Sequence, residues 1–262
     1  MFILYNGDCL DYLPSIQSKS VRLIVTDPPY GIKFNKGYKE NVLPITGDDG
    51  FSVMVFMDDM LREWQRILMD DGAIYVFTRF DVMPYWWLKL KNYFDMKNCI
   101  VWNKGGGSPG DLEGNYAFTH EMVLFGSTSQ HKLNGKRIGN VWDFPRERIE
   151  FHETQKPTTI ISRMIEKSSN VGDLVFDPFM GSGTTGVSAI QNGRRFVGIE
   201  INKGYCEIAE KRLSEAVLSH KFLTPSNNRL HLTGGTVPAQ GDLFTPEDVP
   251  SEGKLPASSP RR

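Results

Sequence analysis

The stretch that most constrains the fold is Leu174–Gly186, which reads LVFDPFMGSGTTG. The apolar run Leu174–Phe176 is typical of a buried strand, and the residues from Thr184 onward are typical of a helix. The turn between them carries the spacing GxGxxG, at Gly181, Gly183 and Gly186. Glycines in such a turn let a ligand approach the backbone closely, and the helix start offers amides to it. The stretch therefore predicts a ligand-binding strand–turn–helix unit.

Short apolar runs alternate with helical patterns on both sides of this unit. The predicted strands are Phe2–Tyr5, Val21–Thr26, Ala73–Phe77, Met122–Phe125, Leu174–Phe176 and Phe196–Glu200. The predicted helices are Met54–Leu68 (stopping at Asp70–Gly72), Thr158–Lys167, Thr184–Gln191 and Tyr205–Leu218. Strands that alternate with helices indicate an α/β fold with a doubly wound, mostly parallel sheet. In such sheets ligands bind beyond the carboxyl ends of the strands.

Composition limits the class of protein. The chain has 262 residues, is 40% apolar and carries a formal net charge of −1, so it does not bind nucleic acid through bulk charge. Cys9, Cys99 and Cys206 are far apart and form no CxxC pair, which argues against a metal site or a disulfide framework. No apolar run is long enough for a membrane span and the N-terminus does not resemble a signal peptide. We expect a cytoplasmic protein that uses no metal and no membrane.

Residues 1–220 are long enough for a single α/β domain. From Thr224 onward the chain is rich in Pro, Ser, Asn, Gly and Thr and poor in large apolar residues. Such a composition does not support a packed core. We therefore predict one folded domain over 1–220 and a disordered tail over 221–262.

An acidic residue follows the glycine turn at a distance typical of nucleoside-binding folds. Glu200 ends the next predicted strand, 23 positions after Asp177, where a carboxylate accepts hydrogen bonds from ribose hydroxyls. Asp177 itself would repel a pyrophosphate but suits an ammonium group. S-adenosylmethionine has a ribose and an ammonium and no phosphate, so it fits this pair better than a nicotinamide or flavin cofactor. A nicotinamide-dependent oxidoreductase stays open as an alternative.

A second turn follows the predicted strand Val21–Thr26 and reads Asp27-Pro28-Pro29-Tyr30. Two successive prolines fix the backbone and donate no amide hydrogens. The turn therefore presents two acceptors, the Asp27 carboxylate and the Pro28 carbonyl, beside an aromatic ring. This arrangement suits the exocyclic amino group of a flat base.

These two turns resemble motifs of one enzyme family. Asp27–Tyr30 resembles the DPPY catalytic motif of DNA amino-methyltransferases, and Asp177–Gly183 resembles their DPFxGSG cofactor motif. Further matches are Gly7–Cys9, Val101–Lys104, His120–Phe125 and Thr154–Pro157. Because the catalytic motif precedes the cofactor motif, the order resembles the permuted β subgroup. The similarity extends over about residues 2–215.

The resemblance implies a role for each matching residue. On the substrate side, Asp27 and Pro28 hold the target amino group, Pro29 completes the turn and Tyr30 stacks on the base. Asp177 binds the ammonium of S-adenosylmethionine, Glu200 its ribose, and Asp8 lies near its adenine. Lys156, with Thr154 and Gln155, closes over the methionine end. The remaining residues of the implied cofactor loop are Phe179, Gly181, Ser182, Gly183 and Thr184.

The implied reaction transfers a methyl group from S-adenosylmethionine to the N6 amino group of adenine in a specific sequence of double-stranded DNA. The base is flipped out of the duplex and the methyl group moves in one in-line displacement. Asp as the first motif letter favours adenine N6, since relatives acting on cytosine N4 usually show Ser-Pro-Pro; N4-cytosine methylation stays an alternative. No cysteine follows a proline, which argues against methylation of a cytosine ring carbon. The resemblance implies a bacterial or phage-encoded enzyme.

Two segments, 33–50 and 103–150, have no clear place in the predicted sheet, and we expect them to recognise DNA. Their basic residues predict phosphate and base contacts, at Lys33, Lys36, Lys132, Lys136 and Arg137.

In the tail, Gln240, Leu243 and Phe244 resemble the short peptide by which bacterial proteins dock on the sliding clamp. A body of about 220 residues leaves little room for a separate recognition domain, so we expect a short target and a monomer or homodimer.

Overall fold

The computed structural model describes residues 1–29, 50–106, 113–114, 116–145 and 156–223. Several predicted functional residues lie outside these ranges: Tyr30, Lys33, Lys36, Thr154, Gln155, Gln240, Leu243 and Phe244. The predicted recognition segment 33–50 lies outside them too, except for Gly50, and so does the tail from residue 224 onward.

The described residues form eight strands and six α-helices. The strands are β1 (Phe2–Asn6), β2 (Val21–Thr26), β3 (Leu68–Thr78), β4 (Asp95–Asn103), β5 (His120–Ser127), β6 (Val141–Asp143), β7 (Leu174–Asp177) and β8 (Arg195–Glu200). The helices are α1 (Cys9–Tyr12), α2 (Gly50–Ile67), α3 (Met83–Leu90), α4 (Thr158–Ser168), α5 (Thr184–Gln191) and α6 (Lys203–Leu223). None of these helices is both long enough and apolar enough to cross a membrane.

All eight strands belong to one sheet, in the order β1-β8-β7-β2-β3-β5-β4-β6. Every neighbouring pair is parallel except the two that involve β5, which runs antiparallel to β3 and to β4. The prediction of a doubly wound, mostly parallel sheet is therefore confirmed. Because β1, β8, β7 and β2 are mutually parallel neighbours, their carboxyl ends form one continuous edge of the sheet.

The core lies on both faces of the sheet, as expected for parallel strands covered by helices. Along β2 the side chains alternate: Leu23 and Val25 belong to one buried cluster with Ile161 of α4, and Ile24 belongs to the other with Trp64 of α2. All five are almost fully buried. This double burial explains why Val21–Thr26 reads as a continuous apolar run rather than an alternating one.

The structure contains α3 and β4, which the sequence did not predict, and it differs from the predictions at three further places. Helix α2 ends at Ile67 rather than at Asp70–Gly72, because Leu68 pairs with Val21 and opens β3. Helix α6 continues three residues into the predicted tail, to Leu223. The predicted recognition segment 103–150 is not only loop, since β5 occupies a central position in the sheet and β6 pairs with β4.

Candidate active site

Four carboxylates lie at or just beyond the carboxyl ends of neighbouring strands. Asp27 follows β2, Asp177 ends β7 and Glu200 ends β8. Asp8 follows β1 by two residues, and the amide of Gly7 donates to the Glu200 carbonyl oxygen at 3.0 Å. The sheet therefore brings together on one edge the four acidic residues singled out in the sequence.

Asp177 is buried in the turn between β7 and α5, with 3% of its surface exposed. Its Oδ1 accepts hydrogen bonds from the Thr26 hydroxyl at 2.8 Å and from the Phe179 amide at 3.1 Å. Burial raises the pKa of Asp177 to about 7 despite these donors. A cation beside this carboxyl would stabilise its ionised form, so the site suits an ammonium group.

Glu200 is held in one orientation by two backbone amides. The amide of Gly181 donates to Oε2 at 2.9 Å, and the amide of Asn202 donates to Oε1 at 2.8 Å. Burial raises the pKa of Glu200, and these two amides partly offset that effect. Each carboxylate oxygen can accept a second hydrogen bond. A fixed carboxylate with two acceptor positions left suits a pair of neighbouring hydroxyls.

The glycine turn is packed on one side and open on the other. Gly183 has φ +82°, and a Cβ there would lie 2.8 Å from Leu213 Cδ1 and 2.9 Å from Ala209 Cβ, so α6 packs directly on the backbone. Gly181 has φ +52°, and a Cβ there would meet nothing within 4 Å. The backbone at Gly181, whose amide donates to Glu200, is therefore open on the side to which a Cβ would point.

The two hydroxyl residues of the turn face α6 instead. The guanidinium of Arg212 donates to the Ser182 carbonyl at 2.6 Å, to its hydroxyl at 3.1 Å and to the Thr184 hydroxyl at 3.3 Å. Both side chains are buried. Ser182 and Thr184 therefore fasten the turn to α6 through their side chains. Asp8 has a local contact of the same kind, since its carboxylate accepts from the Leu10 amide and caps α1.

Asp27 is paired with a lysine whose side chain is 12% exposed. The Lys156 Nζ lies 2.8 Å from Asp27 Oδ2 and 3.1 Å from Glu121 Oε2, and it sits over the ring of Phe77 at 5.2 Å from the centroid. Burial by itself would lower the pKa of Lys156, but the two carboxylates outweigh it and raise that pKa. The structure thus places Lys156 against the Asp-Pro-Pro turn. Its place over the methionine end of the cofactor stays a prediction.

The chain of charges continues beyond Glu121. Lys104, at the end of β4, places its Nζ 2.9 Å from Glu121 Oε1. Burial opposes ionisation of Glu121, yet the ammonium groups of Lys156 and Lys104 outweigh it and lower its pKa to about 2. The four groups Asp27, Lys156, Glu121 and Lys104 therefore alternate in sign along the edge of the sheet. Sequence reasoning assigned no role to Lys104 or Glu121, although both lie in stretches that match the family motifs.

Of the predicted DNA contacts, the three within the described residues, Lys132, Lys136 and Arg137, do not gather around Asp27. The segment that carries Lys132 and Lys136 lies at the amino end of β3: His131 Nδ1 lies 2.9 Å from the Asp71 carbonyl oxygen, and Lys167, at the end of α4, donates to the Lys136 carbonyl. Arg137 follows directly. These three basic residues lie at the edge opposite to Asp27, and as DNA contacts they stay a prediction.

An exposed aromatic pair lies at the same edge as Asp27. Phe80 follows β3 and Phe118 precedes β5, and their rings stack with centroids 5.5 Å apart. They are 50% and 38% exposed. The sequence analysis did not single them out, because isolated phenylalanines carry no motif. Among the described residues, no group of three or more His, Cys, Asp or Glu is arranged to hold a metal ion.

Comparison with known proteins gives a consistent picture. Residues 21–211 match the family model described as DNA methylase. The chain is 35% identical over 248 residues to the DNA adenine methyltransferase YhdJ of Escherichia coli (strain K12), covering 81% of this chain and 83% of that protein. It is 31% identical to the type II methyltransferase M.HinfI of Haemophilus influenzae, covering 81% and 68% of the two chains.

Solved structures resemble this fold over most of the chain. The M1.HpyAVI–SAM complex superposes with a TM-score of 0.64 at 25% identity, covering 81% of this chain and 99% of that one. The cytosine-N4-specific PvuII DNA methyltransferase superposes with a TM-score of 0.67 at 18% identity, covering 84% and 91%. The second likeness concerns the fold alone.

Proposed function

The chain belongs to the DNA methylase family, and on this premise we propose that it transfers a methyl group from S-adenosylmethionine to the N6 amino group of adenine in a specific DNA sequence. The observation that carries the proposal is the adjacency of two sites at one edge of the sheet. The Asp-Pro-Pro turn ends β2, and the Asp177 turn ends the neighbouring β7. The Thr26 hydroxyl, bound to Asp177, links the two.

The residues around the glycine turn would hold the cofactor. Asp177 would bind the ammonium of S-adenosylmethionine, and Glu200 would bind its two ribose hydroxyls. Asp8 would lie beside its adenine. The turn from Phe179 to Thr184 would form the floor, with backbone atoms rather than the Ser182 hydroxyl directed at the ligand. When bound, S-adenosylmethionine supplies a methyl group on a positively charged sulfur.

Asp27 and Pro28 would prepare the amino group for attack. The adenine N6 is a poor nucleophile because its lone pair is delocalised into the ring. The Asp27 carboxylate and the Pro28 carbonyl each accept one N–H, which favours a lone pair on nitrogen directed at the methyl group. Pro29 keeps the turn rigid and Tyr30 would stack on the flipped base. The displacement needs no covalent bond to the enzyme.

We assign Lys156 to the base side of the site. Its contacts are with Asp27 and Glu121, and its ammonium fixes the orientation of the Asp27 carboxylate. Lys104 holds Glu121 from the other side. Glu121 and Lys104 are thus positioning residues, which act on Asp27 through Lys156. Thr154 and Gln155 keep their proposed place at the methionine end.

Double-stranded DNA is the substrate, and the exposed pair of Phe80 and Phe118 lies where it would meet the protein. Lys33 and Lys36 would contact phosphates near the Asp-Pro-Pro turn.

Two further proposals concern partners: Gln240, Leu243 and Phe244 would dock on the sliding clamp, and the enzyme would act as a monomer or homodimer. Pull-down with purified clamp, compared between the full chain and a Leu243→Ala/Phe244→Ala variant, tests the first. Sedimentation of the full chain tests the second.

Transfer of a tritiated methyl group to DNA, followed by digestion to nucleosides, tests the proposed reaction. We expect label in N6-methyladenine, and loss of at least about 1,000-fold in rate for Asp27→Ala with cofactor binding retained. Label in N4-methylcytosine would instead show that the target base is cytosine and not adenine. Binding of NADH without binding of S-adenosylmethionine would instead favour the oxidoreductase alternative.

A further inference from the structure

An open groove lies at the amino edge of the sheet, which is the edge opposite to Asp27, on the face that α4, α5 and α6 cover. These three helices pack side by side over β1, β8, β7, β2 and β3. The next strands in the sheet are β5, β4 and β6, and on this face the irregular segment 128–140 lies beside them instead of a helix. The groove runs between that segment and the sheet. No part of the proposed methyl transfer uses it.

Two apolar side chains of the groove are accessible to a partner. Leu133 is 45% exposed and Ile138 is 42% exposed, and both belong to the segment 128–140. The aromatic residues that also line the groove, such as Phe125 and Trp142, are buried and do not reach a partner. Exposed leucine and isoleucine gain from contact with another apolar group, because the contact removes both surfaces from water. The groove therefore suits a short peptide that carries one or two apolar side chains.

The rim of the groove is positively charged. Lys97, Arg137 and Lys167 line it, and its described lining residues include no Asp or Glu. Lys97 is paired with Asp95, which offsets its charge, whereas Lys167 donates only to carbonyl oxygens and keeps its charge. A peptide that fits this groove should therefore carry carboxylates beside its apolar side chains.

One stretch of this chain outside the described residues has that composition. Residues 232–253 contain no Lys or Arg and four acidic residues, at Asp242, Glu247, Asp248 and Glu252. The apolar pair Leu243 and Phe244 lies among these carboxylates. This part of the tail is therefore complementary to the groove both in charge and in its two apolar side chains.

The tail also begins at the correct edge of the sheet. Arg212 of α6 binds the Ser182 carbonyl in the glycine turn, at the edge that carries Asp27. The helix continues from there for about 16 Å to Leu223, which brings its end to the amino edge. The internal stretches outside the described residues are instead flanked by strand ends and helix starts at the edge that carries Asp27. The tail alone therefore enters from the side on which the groove lies.

The tail is long enough to reach the groove. Four strand spacings, about 20 Å in all, separate β8, on which α6 packs, from β5. About 20 residues separate Leu223 from Leu243, and a chain of that length without regular structure spans about 25 Å on average. A tether whose span matches the distance gives an effective concentration of about 1 mM. Even a weak contact of the tail is therefore populated.

We infer that the tail docks on the groove of its own chain, with Leu243 and Phe244 against the two exposed apolar side chains and the neighbouring carboxylates at the basic rim. The same pair forms the peptide proposed to dock on the sliding clamp. Because the pair cannot occupy both places, binding of a clamp would release the groove. Docking on the groove requires neither cofactor nor DNA, so it stands apart from the proposed methyl transfer.

A labelled peptide of residues 239–252 tests this inference by fluorescence anisotropy, without clamp, cofactor or DNA. It is titrated with the full native chain and with the full-length Leu243→Ala/Phe244→Ala variant, whose own tail has lost its apolar pair. We expect a Kd of about 0.1 mM for the variant and a Kd about tenfold higher for the native chain, because the native tail competes at about 1 mM. The inference is overturned if the peptide does not bind the variant at 1 mM, or if both chains bind it equally well.

Charge reversal locates the binding. Arg137→Glu, added to the Leu243→Ala/Phe244→Ala chain, should weaken the peptide about fivefold or more. A peptide with Glu247→Lys and Asp248→Lys should bind this Arg137→Glu chain better than the native peptide does. Arg62→Glu, at an exposed arginine of α2, is the matched control and should leave the affinity unchanged. Equal affinity of the Arg137→Glu and Arg62→Glu chains would place the peptide elsewhere and overturn the inference.

Photocrosslinking distinguishes the chain's own groove from that of a second copy. Benzoylphenylalanine in place of Phe244 of the full chain keeps an aromatic side chain at this position. We expect crosslinks to the segment 128–140 within one chain, found by mass spectrometry of the monomer band. Crosslinks that lie elsewhere, that join two chains or that do not form at all would overturn the inference.

Discussion

The Lys156 ammonium lies between two carboxylates, 2.8 Å from Asp27 Oδ2 and 3.1 Å from Glu121 Oε2. Replacing Lys156 by Met removes the cation that lies against both carboxylates and so removes one of the contacts that orient the Asp27 side chain. Misplacement of a catalytic group by about 1 Å can cost about 100-fold in rate. We expect Lys156→Met to lower kcat for methyl transfer about 100-fold and to change the Kd for S-adenosylmethionine less than threefold.

Single-turnover transfer and calorimetry on the same samples measure these two quantities. Lys156→Arg keeps the charge and should recover part of the rate. Lys203→Met, at an exposed lysine that also faces a glutamate, is the matched control. If Lys156→Met weakened cofactor binding as much as it slowed transfer, Lys156 would act on the cofactor and not on Asp27.

Glu121 makes the stability of the fold depend on acid. Its pKa falls from 4.5 to about 2, because Lys156 and Lys104 outweigh the effect of burial. A carboxyl with a lowered pKa stabilises the fold above its unfolded-state pKa, and this stability is lost as the pH falls toward 2. A shift of this size corresponds to about 3 kcal/mol. In urea unfolding at pH 5 and pH 3, the native chain should therefore lose more stability than Glu121→Gln, which cannot titrate. Equal losses in both proteins would show that the carboxyl is not held by the lysines.

Cofactor binding should strengthen as the pH rises through neutrality. With a pKa of about 7, raised chiefly by burial, Asp177 is mostly neutral at pH 6 and mostly ionised at pH 8. An ammonium group binds the ionised form, whose fraction rises about tenfold over this range. The Kd for S-adenosylmethionine should fall by about the same factor in calorimetry. The Asp177→Asn variant should bind S-adenosylmethionine weakly at both pH 6 and pH 8. A Kd of the native chain that does not change with pH would show that Asp177 does not bind the ammonium group.

Close packing of α6 on the glycine turn predicts a large effect from one methyl group. A Cβ on Gly183 would lie within 3 Å of Leu213 and Ala209, and φ +82° is unfavourable for alanine. Overpacking of this kind costs about 1–3 kcal/mol, so we expect Gly183→Ala to lower the free energy of unfolding by about that amount. The same change should weaken the binding of S-adenosylmethionine. Gly139→Ala, where a Cβ meets nothing within 4 Å, is the control. Equal stability of the two variants in urea would contradict the observed packing.

Sequence periodicity predicted the parts of the fold that are buried on both faces. Three strands, β2, β7 and β8, could be predicted directly because each is an apolar run that ends at a clear break. The glycine turn could be predicted from its spacing of glycines. Strand β4 could not, since Lys97 and Asn98 interrupt its apolar pattern where its surface is exposed. The acidic residues of the site follow strands in the sequence and were found. The contact of Lys156 with Asp27 joins residues 129 positions apart and depends on how α4 packs beside β2, so the motif alone did not show that the lysine lies against Asp27.

The stacked rings of Phe80 and Phe118 predict a contribution to DNA binding that does not depend on charge. Flipping of the target base unstacks it from its neighbours, and stacking of an exposed base on an aromatic ring is worth about 1–3 kcal/mol, so Phe80→Ala and Phe118→Ala should each weaken binding of target duplex about 5- to 100-fold. The slope of log Kd against log salt should stay unchanged, because no phosphate contact is lost. Leu88→Ala, at an apolar residue of α3 that is 65% exposed, is the control and should bind like the native chain. Fluorescence anisotropy of a labelled duplex over a salt series measures both quantities. A weakening equal to that of Leu88→Ala would place the DNA elsewhere, whereas a loss confined to the two phenylalanines would locate the duplex at the edge that carries Asp27.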